Sequence, residues 1–468
     1  IHSQVNQSRF SHTHLVQKDD STRINVHFNS LAVHPWSQIP EVTSGKGSIH
    51  YSRHHNHSPS THSKIWVELT QAKILHSHIS QTMISLDSLE NENSPHLFFK
   101  TRVNGSIKNA LTILDQGILK KEDLPFQVQK GQHQSQLQFH LNLKDSSDFK
   151  NLPLQLQSEV KSTEIKLNND EFKLGLISAN HVQLNLSQEH LDIVGQGRAQ
   201  GQLAEFKIQQ NLMGRASLVM EIEARTNGEF LTKFYPNEII SGKIHAQMKL
   251  RIPKDNDLPK TIDIKANLND TKIQLGGRLL KEPHHESSQL KAKLRLFDNH
   301  IEFPLINITG KKFHLAADGS FYKKNSRLEM NVSKFKANNQ LLLNRTQLFS
   351  KGKFTSLKGR FINLYGFMEL DTIAQTHANG NPTNDFSKIH DRIDLKFDRI
   401  QLSHQGYLKD TYMNSNWNHG KLKDAKVKAS FGNQKRLVAI MQKNAKTPTI
   451  KVQTQDAGEF LRTFEYYN

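Results

Sequence analysis

The sequence predicts an all-β fold, an elongated antiparallel meander curled into an open groove, with a few short helices. Apolar and polar residues alternate with period two through most of the chain, and short turn sequences separate the alternating runs. Helical periodicity is confined to three short stretches.

From the N-terminus, residues 1–64 read as a His-rich β/loop region, with Tyr51 to Ser63 a polar connection containing Pro and His. Residues 65–455 read as one continuous β-groove body. Within it, Val103-Asn104-Gly105 leads into a predicted helix over 106–115, because Ile107, Ala110, Leu111 and Leu114 share one helical face. Alternation is clearest from residue 152 onward. Val182, Leu184 and Leu186 form one run, and Leu218, Met220, Ile222 and Ala224 another. Met248 and Leu250, then Ile262, Ile264 and Ala266, continue the pattern. So do Leu290, Ala292, Leu294 and Leu296, then Leu328, Met330 and Val332, and finally Ile393, Leu395 and Phe397. Such spacing puts every second side chain on one face of a sheet. Asn168-Asn169-Asp170, Asn269-Asp270, Asp298-Asn299 and Gly432-Asn433 mark turns between runs, as expected for successive hairpins. Parallel strands need crossovers of a dozen residues or more, usually helical, and the sequence offers almost no helix to build them.

The second predicted helix covers 227–236 and is stopped by Pro236; the third covers 456–465, with Asp456 placed to cap its first turn. Pro253 to Pro259, Lys281 to Ser288 and Thr376 to Asn384 read as long hairpin loops or mobile inserts.

Composition narrows the function. Apolar residues are 35% of the 468, and about 40% with the 24 glycines added, below the usual ~45–50%. With no cysteine, disulfide scaffolds, thiolate nucleophiles and sulfur-ligated metals are excluded. The formal charge is +18, but lysines are spread along the chain and interleaved with acids, as in Lys388-Ile389-His390-Asp391-Arg392. Clustered cations and aromatic platforms are missing, so no nucleic-acid partner is expected. Solvated strand faces explain the charge, with weak attraction to anionic headgroups second.

His12, His14, His54, His55, His57 and His62 are the metal candidates; they are read as lying in loops without fixed carboxylate partners, and no metal is expected. Gly195-Gln196-Gly197-Arg198 has no helix after it and reads as a bulge or strand bend, not a dinucleotide turn. No nucleophile–base constellation stands out, so neither enzyme activity nor a cofactor is expected.

An apolar stripe this long has to be covered. A chain of β-sandwich binding domains would pair two sheets, but no linkers recur at domain spacing. An open apolar trough is tolerated where a ligand fills it. Acyl chains fit: at about 0.8 kcal/mol per buried methylene, only an unbroken lining compensates a lipid for leaving a bilayer. About 25 strands at ~4.8 Å spacing would extend on the order of 120 Å, suiting a conduit. The expected lipid-contacting lining is Leu184, Leu186, Ile222, Met248, Leu250, Ile264, Leu294, Leu296, Met330 and Leu395.

The C-terminal Ile450-Lys451-Val452-Gln453-Thr454-Gln455-Asp456-Ala457-Gly458-Glu459-Phe460-Leu461-Arg462 resembles the strand-then-Asp-Ala-Gly-x-x-Leu-Arg junction of AsmA-like proteins of the YhdP type. Val103-Asn104-Gly105-Ser106-Ile107-Lys108-Asn109-Ala110-Leu111 is similar to that family's Val-x-Gly-x-Ile-x-x-Ala-Leu segment. The likeness covers nearly everything after about residue 65, and the Asp-Ala-Gly junction is its most specific element. It implies a periplasmic β-groove, as in the wider TamB-like group, that conducts phospholipid between inner and outer membranes and supports the outer-membrane barrier. It implies too that residues 456–468 begin a junction to an AsmA-like C-terminal region, and that an inner-membrane anchor lies outside this chain. The opening Ile1-His2-Ser3-Gln4 is neither a start methionine nor a leader, which fits an interior segment. The competing expectation is a scaffold that offers strand edges to outer-membrane proteins during assembly.

Overall fold

The computed structural model describes residues 5–18, 21–33, 40–54, 62–87, 95–115, 126–142, 154–167, 176–187, 189–199, 201–211, 218–227, 240–255, 257–275, 278–281, 287–337, 340–366, 392–404, 406–418, 421–443 and 448–463. Of the predicted helix over 227–236 only Asn227 is described, as the last residue of a strand, and the predicted loop over 376–384 lies outside the described residues. The all-β, mostly antiparallel, open-sheet expectation holds, with 27 strands among the described residues.

The chain forms two compact units, Ile1–Ile222 and Glu223–Asn468. In the first, β1 (Val5–Lys18), β2 (Ser21–Val33), β3 (Val42–His54), β4 (His62–Ile74), β5 (Ser77–Asp87) and β6 (His96–Ser106) pair each with the next, antiparallel. The nine-residue helix α1 (Ile107–Asp115) interrupts the meander where the sequence predicts it. β7 (Phe126–Asn142), β8 (Leu154–Leu167), β9 (Leu176–Ser187), β10 (His190–Ala199) and β11 (Gln202–Asn211) then resume it. β12 (Leu218–Asn227) crosses the boundary between the units. His12 and His14, expected in a loop, lie in β1, and His54 pairs with His62 across the β3–β4 ladder.

The Gly195–Gly197 stretch is a strand with a bulge. β10 shifts register against β9 between Gln196 and Gly197. A methyl on Gly195 would come within 2.8 Å of the Phe206 ring, so the missing side chain makes room for a large neighbour.

The second unit holds β13 (Ile240–Ile252), β14 (Lys260–Asn267), β15 (Thr271–Leu275), β16 (Arg278–Lys281), β17 (Ser288–Leu296), β18 (His300–Gly310) and β19 (His314–Tyr322). β15 and β16 make a side hairpin, while β14 pairs directly with β17. Next come β20 (Arg327–Ala337), β21 (Gln340–Lys351), β22 (Phe354–Asn363), β23 (Arg392–Gln401), β24 (Tyr407–Asn418), β25 (Lys421–Phe431), β26 (Lys435–Lys443) and β27 (Pro448–Thr454), and helix α2 (Ala457–Thr463) follows. One pair departs from the expected meander: β22 and β23 are parallel. The 28 residues between these strands, 364–391, are long enough for the connection that parallel pairing needs.

Within each unit, side chains of one parity face an apolar surface. In the first unit its core holds Leu97, Phe139, Val160, Val182, Leu186 and Ile193. In the second, one cluster centres on Phe313, Val332 and Phe335, and another on Phe397, Ile400 and Phe431. Pairing runs from strand to neighbouring strand, yet Phe397 is only 1% exposed. A side chain on a flat uncovered sheet keeps much of its surface in water, so each sheet curls over its apolar face.

Candidate functional site

The candidate site is the apolar face, built from cross-strand ladders. In the second unit, Met330 on β20 faces Leu348, and the ladder continues through Leu357, Leu395, Met413 and Val427. It ends through Ala439 at Val452 on β27. The parallel β22–β23 pair leaves it intact, because Leu357 lies opposite Leu395. In the first unit a similar ladder runs Val26, Ile49, Val67, Ile84, Phe99 and Phe139, with the two phenylalanine rings stacked at 4.8 Å.

Burial changes along the strands. Two residues from Met330, roughly 7 Å along β20, a second ladder joins Ala317, Val332, Thr346, Gly359, Phe397 and Thr411. Apart from half-buried Gly359, its members are buried, whereas Met330, Leu348, Leu357, Leu395, Met413 and Val427 are all half-buried. The apolar face is therefore packed shut along one row and water-accessible along the next.

The predicted lining falls mostly on the accessible side. Leu184, Ile222, Met248, Leu250, Ile264, Leu294, Leu296, Met330 and Leu395 are half-buried. Leu186, at 3% exposure, is core. Met248 faces Ile264, while Leu250 and Leu294 both face Ile262. Leu296 lies opposite Ile301, and Leu184 opposite Ile193. Ile222 lies on β12. The opposite face is polar, with ion pairs such as Lys64–Asp87 and Arg251–Asp263, both at 3.1 Å.

A polar feature inside the first unit's apolar face is missing from the predicted lining. His133 on β7 is 7% exposed, and its Nδ1 lies 2.5 Å from Ser135 Oγ. Ser135 donates onward to Ser158 Oγ at 2.8 Å, so Nδ1 carries the proton given to Ser135. Burial holds the ring below its ordinary pKa of 6.5, and Nε2 is then a bare acceptor with no partner. The signal was available: His133 is in phase with Ser135, Leu137 and Phe139, on the parity of the apolar stripe. Nearby, α1 begins at its cap Ser106, whose Oγ accepts the Asn109 N–H at 3.3 Å. Ile107 packs on the core beside β7, and a methyl on Gly131, a bulge residue at φ +151°, would collide with it.

No group of three or more His, Cys, Asp or Glu able to hold a metal occurs among the described residues. No described helix is long and apolar enough to cross a membrane. No protein-family model matches the chain, and no curated protein matches it either.

Proposed function

We propose that this chain is a periplasmic segment of an AsmA-like envelope protein, of the type its Asp456-Ala457-Gly458 junction resembles, whose apolar groove conducts phospholipid between inner and outer membranes. The chemistry is shielding, with no reaction: acyl chains lie on the half-buried ladders while headgroups stay in water. One observation carries the reading. The ladder from Met330 to Val452 crosses eight consecutive strands without a charged residue and keeps water-accessible apolar surface on its half-buried members. A core side chain gains nothing from being left half in water, whereas a lining that takes and releases acyl chains must be reachable. An inner-membrane anchor would lie outside this chain.

The test is photocrosslinking in cells from Leu184, Met248, Leu294, Met330 and Leu395, with outward Gln247, Lys293 and Lys396 as controls. Lipid adducts are expected at the inward positions only. Equal labelling of both sets, or none at the inward set, overturns the conduit.

A second reading, a scaffold for outer-membrane protein assembly, draws on β27. Among the described residues it pairs with β26 alone, and its Ile450 is 63% exposed. An unpaired edge is a template for another strand. Under that reading Val452→Pro abolishes client capture while ladder substitutions leave it unchanged.

A further inference from the structure

Within the second unit, the apolar face changes chemistry along its strands. Two residues beyond Met330 and Leu395, on the side away from the packed row, a third ladder joins Leu328, Ser350, Thr355 and Ile393. All four are half-buried, and the Ser350 and Thr355 hydroxyls lie 3.3 Å apart. The strands end one residue further on, at Arg327, Lys351, Phe354 and Arg392. Roughly 10 Å thus separates the Met330 ladder from this rim.

The rim is aromatic and cationic. The Arg327 guanidinium lies 5.2 Å from the Tyr322 ring centroid and 5.4 Å from that of Phe349, and the Arg392 guanidinium 5.5 Å from that of Phe354. Both arginines also bond a carboxylate, Arg327 that of Glu329 and Arg392 that of Asp394, so their charge is matched locally. Three lysines are left over. Lys323 and Lys324 in the β19–β20 turn, and Lys351 at the end of β21, are exposed and pair with no acid among the described residues. Against them stands Asp298 in the adjoining β17–β18 turn. Arg327, Lys351 and Arg392 have the parity of the polar face, so the cations crown the wall of the groove and do not interrupt its lining. Lysine stems carry an ammonium over such an edge while it stays in water.

From the packed row outward the order is apolar, hydroxyl, cation. A phospholipid has the complementary order: acyl chain, ester carbonyl, phosphate. We propose that the groove takes an anionic phospholipid with its phosphate on this rim, at Lys323, Lys324 and Lys351, its esters at the Ser350–Thr355 row and its chains on the Met330 ladder. The proposal rests on the groove reading and adds to it the orientation of the lipid and a charge preference. A phosphatidylglycerol keeps its net negative charge at the lysines, whereas choline sets an ammonium of its own against them.

The experiment measures binding of dihexanoyl phosphatidylglycerol, dihexanoyl phosphatidylcholine and glycerophosphoglycerol to the full 468-residue chain by titration calorimetry. The glycerol lipid is expected to bind about tenfold more tightly than the choline lipid. The triple variant Lys323→Gln, Lys324→Gln, Lys351→Gln removes that advantage and leaves affinity for the choline lipid within about twofold. The triple variant Lys265→Gln, Lys291→Gln, Lys396→Gln lowers the net charge equally, from exposed positions on the polar face away from this rim, and retains the advantage. Equal affinity of the wild type for the two lipids overturns the rim and leaves the groove standing. Persistence of the advantage in the rim variant overturns the rim too, as does its loss in the remote variant, which would mean that overall charge sets it. Failure of both lipids to bind overturns the groove itself. Glycerophosphoglycerol, the same headgroup without acyl chains, binding as tightly as the glycerol lipid overturns the lipid as source of the phosphate.

Discussion

Phe397 and Leu395 share β23, point to the same face and differ in depth. Phe397 is sealed beneath Gly359 and Thr411, while Leu395 sits in the accessible ladder. Phe397→Ala is therefore expected to cost about 3–5 kcal/mol, through lost transfer energy and a cavity. Leu395→Ala should cost roughly 1–2 kcal/mol, since part of that side chain meets water in both folded and unfolded chains. Urea unfolding of the two variants checks the ordering; equal losses would mean that the ladder is ordinary core. His133 makes a second prediction at this scale. Burial keeps its ring neutral at a pH where the unfolded chain would protonate it. Its contribution to stability is full above pH 6.5 and drains away as pH falls toward the depressed folded value. The urea midpoint of the wild type should drop between pH 7.5 and pH 5 by more than that of His133→Phe. Parallel pH dependence in the two proteins would show that the ring titrates freely.

Helix α2 is held by three electrostatic contacts and one aromatic contact. Asp456 Oδ1 accepts the Glu459 N–H at 2.8 Å, Lys435 Nζ lies 2.5 Å from both Asp456 and Glu459, and Phe460 meets buried Phe431 edge-on at 5.8 Å. The helix N–H bond first, and Lys435 second, hold the Asp456 carboxyl below its ordinary pKa of 3.8. Cap strength is thus present above pH 3.8 and lost as pH falls through the depressed value. Asp456→Ala should speed amide exchange across 457–463 at neutral pH, and Asp456→Asn, which keeps an accepting oxygen, should restore much of the protection. Unchanged exchange in the alanine variant would mean that Phe460 packing alone seats the helix. Both this helix and α1 were readable in the sequence, α1 from the apolar face of Ile107, Ala110, Leu111 and Leu114 and this one from its capping Asp456. The strands were readable for a similar local reason: period two survives whatever the partner. What period two does not encode is depth or direction. Leu395 and Phe397 look alike in the alternation, and so do the antiparallel β21–β22 and parallel β22–β23 pairs, because the connection 364–391 carries no helical pattern to announce a crossover. Buried His133 was half readable: its parity is visible in the sequence, its unpartnered nitrogen is not.

At the scale of the whole molecule, a conduit differs from a set of binding sites in how defects combine. Each acyl methylene left facing a charge instead of an apolar lining forfeits about 0.8 kcal/mol, so a single buried carboxylate with its own desolvation cost is a barrier to every lipid passing it. In a path used in series, one barrier anywhere limits the flux, and a second adds little. Leu184→Asp on β9 and Leu395→Asp on β23 place such barriers in the two units, both at half-buried positions that tolerate substitution better than the packed row. Each single variant is expected to raise outer-membrane permeability to a large hydrophobic antibiotic close to the level of a deletion, and the double variant to match the singles. Lys396→Asp, on the opposite face of β23, should leave the barrier intact, which separates a lining effect from a general loss of charge. Two independent binding surfaces predict the other pattern, with partial single defects whose logarithms sum in the double variant. Additivity of that kind, with every variant folded and present at wild-type levels, would sink the proposed conduit even if lipid adducts form at both positions.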